Sequence, residues 1–314
     1  MIDIAIIIPA YNEELTIEST ILDFYNFDKN LNIIIIDNNS IDNTKTIVKN
    51  TFLKHKIKGK LLQENRQGKA YAVRTAFHSI EAKFYVLVDA DTTYKSKDLK
   101  ILLKSLYDNQ ADMVVGDRHK NGAYQKENKR NFHKFGNWLV KSLINILFDT
   151  KLNDIMSGYR VMTHKFVKNY PILCKGFEIE TELTLHALDK RFKIIEEEIT
   201  YEDRPQGSFS KLNTFIDGFK VLKTIIWIFK YYKPFHFFGF FSFILFLLSI
   251  ISAYPVVNDY IKEKYVYHVP LAILSTGLMI TSLLSLAIGL ILDSISRFHR
   301  FDFEQKLLNY KNFK

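Results

Sequence analysis

Short apolar runs rich in β-branched residues recur along the first part of the chain, at positions 4–8, 33–36, 85–88 and 113–115. Each ends in a polar turn, and helix-length segments at 16–24, 44–54 and 69–80 lie between them. Continuous apolar runs, as opposed to alternating ones, belong to strands buried on both faces. Their alternation with helices predicts an α/β domain with a parallel sheet covered on both sides. In such sheets ligands bind beyond the carboxyl ends of the strands. Three segments leave those ends: Pro9-Ala10-Tyr11-Asn12-Glu13-Glu14, Asp37-Asn38-Asn39-Ser40 and Asp89-Ala90-Asp91. All three are rich in polar side chains, as a shared crevice requires. The first run carries an acid at Asp3, lacks a basic leader and meets Pro9, which reads as a buried strand and not as a signal peptide.

The pattern changes at Pro234. No Asp, Glu, Lys or Arg occurs from 234 to 258, or from 268 to 292. A helix of about 20 apolar residues crosses the hydrocarbon core, so two transmembrane helices are predicted, at about 235–254 and 269–292. Lys220, Lys223, Lys230 and Lys233 precede the first, and Arg297, His299, Arg300 and Lys306 follow the second. In the loop between them Lys262 and Lys264 are offset by Asp259 and Glu263. The positive-inside rule then predicts an integral protein of the cytoplasmic (inner) membrane, with both termini and the catalytic portion in the cytoplasm. Phe215, Phe219, Leu222, Ile225, Ile226 and Phe229 recur at helical spacing beside Tyr231 and Tyr232. They predict either a helix lying along the membrane surface or a core helix of the soluble domain, and the neighbouring lysines favour the first. The expected organisation is a catalytic domain at 1–212, an interfacial helix at 213–233, and a membrane anchor with a cytoplasmic tail at 234–314.

Charge narrows the partners. A net charge of +9 over 314 residues points to nucleic acid, a phosphate-bearing substrate or anionic lipid. No nucleic-acid-binding motif accompanies the basic residues, so nucleic acid is set aside. Lys126, Lys129, Arg130, His133 and Lys134 precede an apolar stretch at 138–148. They form either a solvated loop face or a seat for phosphate headgroups. The single cysteine, Cys174, excludes an intrachain disulfide framework and a Cys-rich zinc site, and reads as a core thiol.

Asp89-Ala90-Asp91 is the central chemical signal. The run before it delivers two carboxylates to an open sheet edge, where they suit a hard divalent cation, Mg²⁺ or Mn²⁺. Mg²⁺ takes only one or two protein carboxylates and fills its remaining positions with water and substrate phosphate. Such a site serves displacement of a nucleoside diphosphate: charge builds on the diphosphate as the sugar C1–O bond breaks, and a cation stabilises it. No Gly-x-x-x-x-Gly-Lys-Ser/Thr sequence occurs, which argues against a P-loop phosphotransferase.

The motifs follow in order. Residues 8–14 are Ile-Pro-Ala-Tyr-Asn-Glu-Glu, then come Asp37-Asn38-Asn39-Ser40 with Asp42, then Asn65 with Gly68-Lys69-Ala70, then Asp89-Ala90-Asp91. After these stand Asp154 with Ser157-Gly158-Tyr159-Arg160, then Gly176-Phe177-Glu178-Ile179-Glu180, then Arg204-Pro205 with Gly207, Ser208 and Ser210-Lys211-Leu212. This series resembles glycosyltransferase family 2. The later motifs are similar to its dolichyl-phosphate mannose synthase-like branch, including the polyprenyl-phosphate hexose and N-acetylhexosamine relatives. The resemblance covers about residues 2–220.

The resemblance implies a GT-A fold (Rossmann-like, mainly parallel sheet), an inverting mechanism and a nucleotide-sugar donor. It implies that Pro9, Tyr11, Glu13, Asp37 and Asn38 hold the nucleotide, and that Asp89, Ala90 and Asp91 hold the metal and diphosphate. Lys69 is either part of the donor turn or a plain surface charge. Arg118 matches the family's arginine near the sugar and phosphates. Arg204 and Lys211, with Ser210, Ser157 and Arg160, match the side that engages acceptor phosphate. Two positions depart from the mannose synthases. Thr92-Thr93 stands where those enzymes place Leu-Gln, and Phe209 lengthens the Arg-x-x-Gly-x-Ser-Lys pattern by one residue, which is closer to relatives that use other sugars.

A lipid phosphate attacks C1 without a general base, whereas a sugar hydroxyl needs one. The acids available are Asp154, Glu178, Glu180 and Glu182. Asp154 reads as structural, as acceptor-positioning or as a base; Glu178 and Glu180 read as cleft acids or as ordinary acids at a helix start. The expected reaction is transfer to a polyprenyl phosphate, of undecaprenyl or dolichyl type, at the cytoplasmic membrane face. Transfer to a glycan hydroxyl or lipid-linked oligosaccharide is one rival, and a non-catalytic nucleotide-sugar-binding membrane adaptor is another. The Gln-x-x-Arg-Trp signature of processive synthases is absent. The membrane region leaves room for contacts between copies of the chain.

Overall fold

The aliphatic run after Met1 forms β1 (Ile2–Ala10), an interior strand of a seven-stranded sheet. The computed structural model describes residues 2–119, 131–176, 178–202, 223 and 226–312. The chain divides into two compact units, Met1–Gly218 and Phe219–Lys314.

In the first unit β1 pairs in parallel with β2 (Asn32–Asp37) and with β4 (Ala82–Leu87), and β2 pairs in parallel with β3 (Gly59–Gln63). The sheet continues through β6 (Arg160–Thr163), β5 (Met113–Asp117) and β7 (Ile194–Glu198), in the order β3-β2-β1-β4-β6-β5-β7. Successive residues of a strand face opposite sides. Ile6, Ile8, Ile33, Ile35, Val86 and Val88 therefore share one core, with Ile17, Ile21 and Phe24 of α1 (Ile17–Phe27), Val48 of α2 (Thr44–His55), and Leu99, Leu102 and Leu106 of α4 (Leu99–Asp108). Ile7, Ile34, Ile36 and Leu87 alternate with them and are buried as well, and α3 (Lys69–Ser79) packs against β1 and β2. Burial on both sides is the reason these strands read as unbroken apolar runs.

One strand runs against the rest: β6 is antiparallel to both β4 and β5. The chain leaves β5, passes α5 (Asn131–Phe148), and reaches β6 from the end at which its parallel neighbours finish. The segment before β6 therefore lies beside the carboxyl ends of β4 and β5. Arg160 pairs across with Leu87 on one side and Val115 on the other. After α6 (His164–Lys168), α7 (Ile179–Asp189) follows, and β7 closes the sheet.

Three strands lacked a signal in the hydrophobic pattern. β3 and β7 are half-exposed and carry lysine or glutamate, and β6 has only four residues.

The second unit contains α8 (Pro234–Glu263) and α9 (Val269–Asn312). Both are long and apolar enough to cross a membrane, with mean hydropathy of 2.3 and 2.1 over their most apolar windows, and only 11% of either window is buried. A core helix of a soluble protein would be mostly covered. The helices join through serine hydrogen bonds: Ser242 Oγ donates to the Ser282 carbonyl (2.9 Å), and Ser282 Oγ donates to the Ser242 carbonyl (2.8 Å). One heptad on, Ser249 Oγ donates to the Ser275 carbonyl (2.8 Å). Small residues in antiparallel heptad register let the backbones approach and give their hydroxyls partners in an apolar medium. α9 runs unbroken well past the predicted end of its span. Most of the interfacial helix predicted at 213–233 lies outside the described residues.

Candidate active site

The sheet's carboxyl end is built from loops that brace one another. Where β1 ends, Asn12 takes a left-handed backbone (φ 52°) and its amide N–H donates to Ser40 Oγ (3.0 Å), while its side-chain oxygen accepts from the Ile41 N–H (2.9 Å). The Glu13 N–H donates to Thr44 Oγ1 (2.9 Å) and the Glu14 N–H to Asp42 (3.2 Å). Pro9, Tyr11 and Glu13 stay half-buried along this seam, and Asp37 is buried at its foot with one oxygen accepting from the Ser40 N–H (3.3 Å). Asn38 does a different job from the donor contact expected of it. Its amide group donates to the carbonyls of Glu64 (3.2 Å) and Arg66 (2.7 Å), and its oxygen accepts from the Gly68 N–H (2.8 Å), so it shapes the turn that leads into α3.

That turn needs its glycine. Gly68 has φ +141°, and a Cβ there would lie 2.0 Å from the Lys175 carbonyl oxygen. The close approach starts α3 at Lys69 and drives the lysine inward, with 10% of its side chain exposed. A plain surface charge is thereby ruled out. Its Nζ donates to Asp89 Oδ1 (2.5 Å) and to the carboxylate of Glu180, in the first turn of α7. Burial by itself would lower the ammonium's pKa, but the paired carboxylates of Asp89 and Glu180 outweigh it and the net shift is upward.

Asp89 packs against Gly158, where a Cβ would come within 2.7 Å of Asp89 Oδ2. Two residues on, Asp91 is 3% exposed, and its Oδ1 accepts from Thr93 Oγ1 (2.6 Å) and the Thr93 N–H (3.2 Å). Thr92 between them has φ 64°, an uncommon conformation for a β-branched residue and a mark of local strain. The Ala90 carbonyl accepts from Thr20 Oγ1 (3.0 Å), which fastens this loop to α1.

Across the sheet, Arg118 and Asp154 form a buried two-point pair, Nε to Oδ2 at 2.7 Å and Nη2 to Oδ1 at 2.9 Å. Burial opposes ionisation of Asp154, yet the Arg118 guanidinium overrides it and holds the carboxyl below its ordinary range. Arg118 also lies over the Tyr201 ring (5.5 Å), within a cluster of Tyr94, Tyr159 and Tyr201. Arg160 points inward and not toward a bound phosphate. It is fully buried, and donates to the carbonyls of Ser157 (2.9 Å) and Ile155 (2.7 Å) and to Thr184 Oγ1 (2.9 Å). It holds the 155–157 loop in shape, and Ser157 is buried within it.

The order of these loops has a counterpart in known sequences: the sequence model of glycosyl transferase family 2 matches residues 5–170. The chain belongs to this family. It is 29% identical over 219 residues to the glycosyltransferase AglJ of Haloferax volcanii, covering 68% of each chain. It is 25% identical to a dolichyl-phosphate hexose transferase of the same organism, over 71% of this chain and 92% of that one. Its fold is similar to that of glucosyl-3-phosphoglycerate synthase from Mycobacterium tuberculosis, solved with Mn²⁺, uridine diphosphate and phosphoglyceric acid. The TM-score is 0.55 at 17% identity, over 73% of this chain and 78% of that one.

In this family 2 transferase the residues expected at the donor side gather at one sheet edge. Those expected to grip the acceptor, Arg204, Ser210 and Lys211, lie outside the described residues, as do Lys126, Lys129 and Arg130. Several contributors escaped sequence reasoning. Glu180 is one of the candidate acids in the sequence, but nothing there pairs it with Lys69, from which it is separated by 111 residues. Glu196 accepts the N–H groups of Asn153 (2.7 Å) and Asp154 (2.7 Å) and so holds the Asp154 loop, a role without any sequence signal. Glu182 accepts the N–H groups of Leu173 (2.9 Å) and Cys174 (2.7 Å). Cys174, expected in the core, is only half-buried, because it sits on this loop and not on an element of the sheet.

Proposed function

We propose that this glycosyltransferase moves a sugar, with inversion, from a nucleotide-sugar to a polyprenyl phosphate at the cytoplasmic face of a membrane. A divalent cation, Mg²⁺ or Mn²⁺, assists. The observation that carries the acceptor assignment is the engagement of three of the four candidate acids, Glu178 being the one left exposed. Asp154 is paired through both oxygens with Arg118, Glu180 with Lys69, and Glu182 with two backbone N–H groups. A hydroxyl acceptor needs a base poised to take its proton, whereas a lipid phosphate arrives already ionised. The name of the dolichyl-phosphate hexose transferase relative and the two apolar helices support the same acceptor.

The oxygen donors fit a hard cation: two carboxylates at the end of β4, one of them half-exposed, on a loop fixed by Thr93, Thr20 and Gly158. Asp89 and Asp91 would hold the ion, which when bound would stabilise the charge that develops on the leaving diphosphate. The protein's own part is positional. Pro9, Tyr11, Glu13 and Asp37 would line the nucleotide seam, and Arg118, kept charged and oriented by Asp154, would offer its guanidinium to the sugar-phosphate region. Arg204, Ser210 and Lys211 are assigned to the acceptor phosphate. The lysines before the first span and the arginines after the second favour a cytoplasmic catalytic unit.

The test is a membrane assay with a panel of radiolabelled nucleotide-sugars, Mg²⁺ or Mn²⁺, and undecaprenyl or dolichyl phosphate. One donor should transfer label to the organic phase, and EDTA or Asp91→Asn should abolish it. Label appearing only in a lipid-linked glycan would replace the phosphate acceptor with a hydroxyl.

A further inference from the structure

Lys69 is a buried ammonium in contact with Asp89, one of the two carboxylates assigned to the cation, and the mechanism above leaves it without a task. Its side chain is 10% exposed, between Asp89 at 28% and Glu180 at 8%. The ammonium sits on Asp89 Oδ1 (2.5 Å), the same carboxylate a divalent ion would use. Among the described residues no three His, Cys, Asp or Glu side chains converge in a way that could hold a metal ion. These residues therefore offer an incoming ion few ligands, and one of those few, Asp89, is already paired with a positive charge. A nucleoside diphosphate would change both conditions. Its oxygens would complete the coordination, as substrate phosphates do for Mg²⁺, and its negative charge would give the ammonium a new partner. A lysine, with its flexible four-carbon stem and three rotatable donors, can make that exchange where a rigid guanidinium would not.

We propose that Lys69 is a positioning residue that withholds Asp89 from a bare divalent ion, so that cation and nucleoside diphosphate enter the site together. Glu180 holds the ammonium in place before the donor arrives, and the diphosphate displaces it from Asp89. This inference rests on the metal–diphosphate reading of Asp89 and Asp91 and deepens it: cation and donor bind with strong mutual coupling because of one side chain.

The test measures Mn²⁺ binding to the purified full-length protein in detergent, by the electron paramagnetic resonance signal of free Mn²⁺, with and without UDP or GDP. In the wild type, nucleotide should tighten Mn²⁺ binding by about tenfold or more, within the usual range for coupled sites. Lys69→Met should tighten bare Mn²⁺ binding by about tenfold and shrink the effect of nucleotide, because the freed Asp89 and Glu180 carboxylates become available to the ion. Lys69→Arg should keep bare binding weak, and adding Glu180→Gln to Lys69→Met should return it toward the wild type. A merely structural lysine would not strengthen ion binding when removed. The proposal is overturned if folded Lys69→Met binds bare Mn²⁺ no more tightly than the wild type. It is also overturned, whatever the variants do, if the wild type binds bare Mn²⁺ as well as it does with nucleotide. Absence of Mn²⁺ binding even with UDP or GDP would instead sink the metal reading on which the proposal rests.

Discussion

Arg118 and Asp154, 36 residues apart in sequence, meet in a buried fork in which Nε and Nη2 each reach one carboxylate oxygen, while the Arg118 N–H also donates to Oδ2 (3.2 Å). The contact joins the end of β5 to the segment before β6. It shows why an acid placed among the candidate bases is engaged in holding an arginine.

Removing one partner of a buried pair leaves the other charge uncompensated, at a cost of about 3–5 kcal/mol. Asp154→Ala is therefore expected to lower the denaturation midpoint sharply, and Arg118→Met to do likewise. Replacing both with apolar residues should recover part of the stability without recovering transfer. If Asp154→Ala kept wild-type stability while losing only turnover, the carboxylate would be a base after all.

Gly158 leaves room for Asp89. Alanine there would bring a methyl within 2.7 Å of Oδ2, and the carboxylate must turn away. Displacing the support of a metal-binding group typically costs 10–100-fold in affinity or activity. Gly158→Ala should show a loss of about that size in Mn²⁺ affinity measured with UDP or GDP, with little change in the far-UV spectrum.

His186 lies among Phe166, Tyr170 and Phe192, and burial lowers its pKa from the ordinary 6.5 to about 4. Between those values the unfolded chain binds a proton that the folded one does not, so stability falls as pH drops from 6.5 toward 4. His186→Phe should flatten that part of the stability–pH curve and leave the region above pH 7 unchanged in slope. An unaltered acid limb would show that this histidine is not its source.

The serine seam of α8 and α9 tolerates loss of hydroxyls better than added bulk. Hydrogen bonds between membrane helices are worth about 0.6 kcal/mol on average, so Ser242→Ala should shift the unfolding midpoint in detergent only slightly. Ser282→Phe should shift it far more, because the side chain must fit where the two backbones approach. Equal effects from the two substitutions would contradict the close-packed seam.

Much of this architecture is written locally. Apolar runs at 4–8 and 33–36 mark strands because both faces are buried, and the uncharged stretches at 234–258 and 268–292 mark helices suited to an apolar solvent. The polar segments after the strands, and the ordered motifs they carry, named the family from residue types alone. Such features survive in one dimension because burial and backbone periodicity act residue by residue. What tertiary structure alone decided is which side chain meets which. The reversed direction of β6 brings Asp154 and Gly158 beside β4 and β5, and turns Arg160 inward onto its own loop. Lys69 lies between Asp89 and Glu180 because α3, β4 and α7 converge at one edge. No local pattern encodes these meetings: they follow from strand order and crossover, where a charge finds its partner by distance in space and not in sequence.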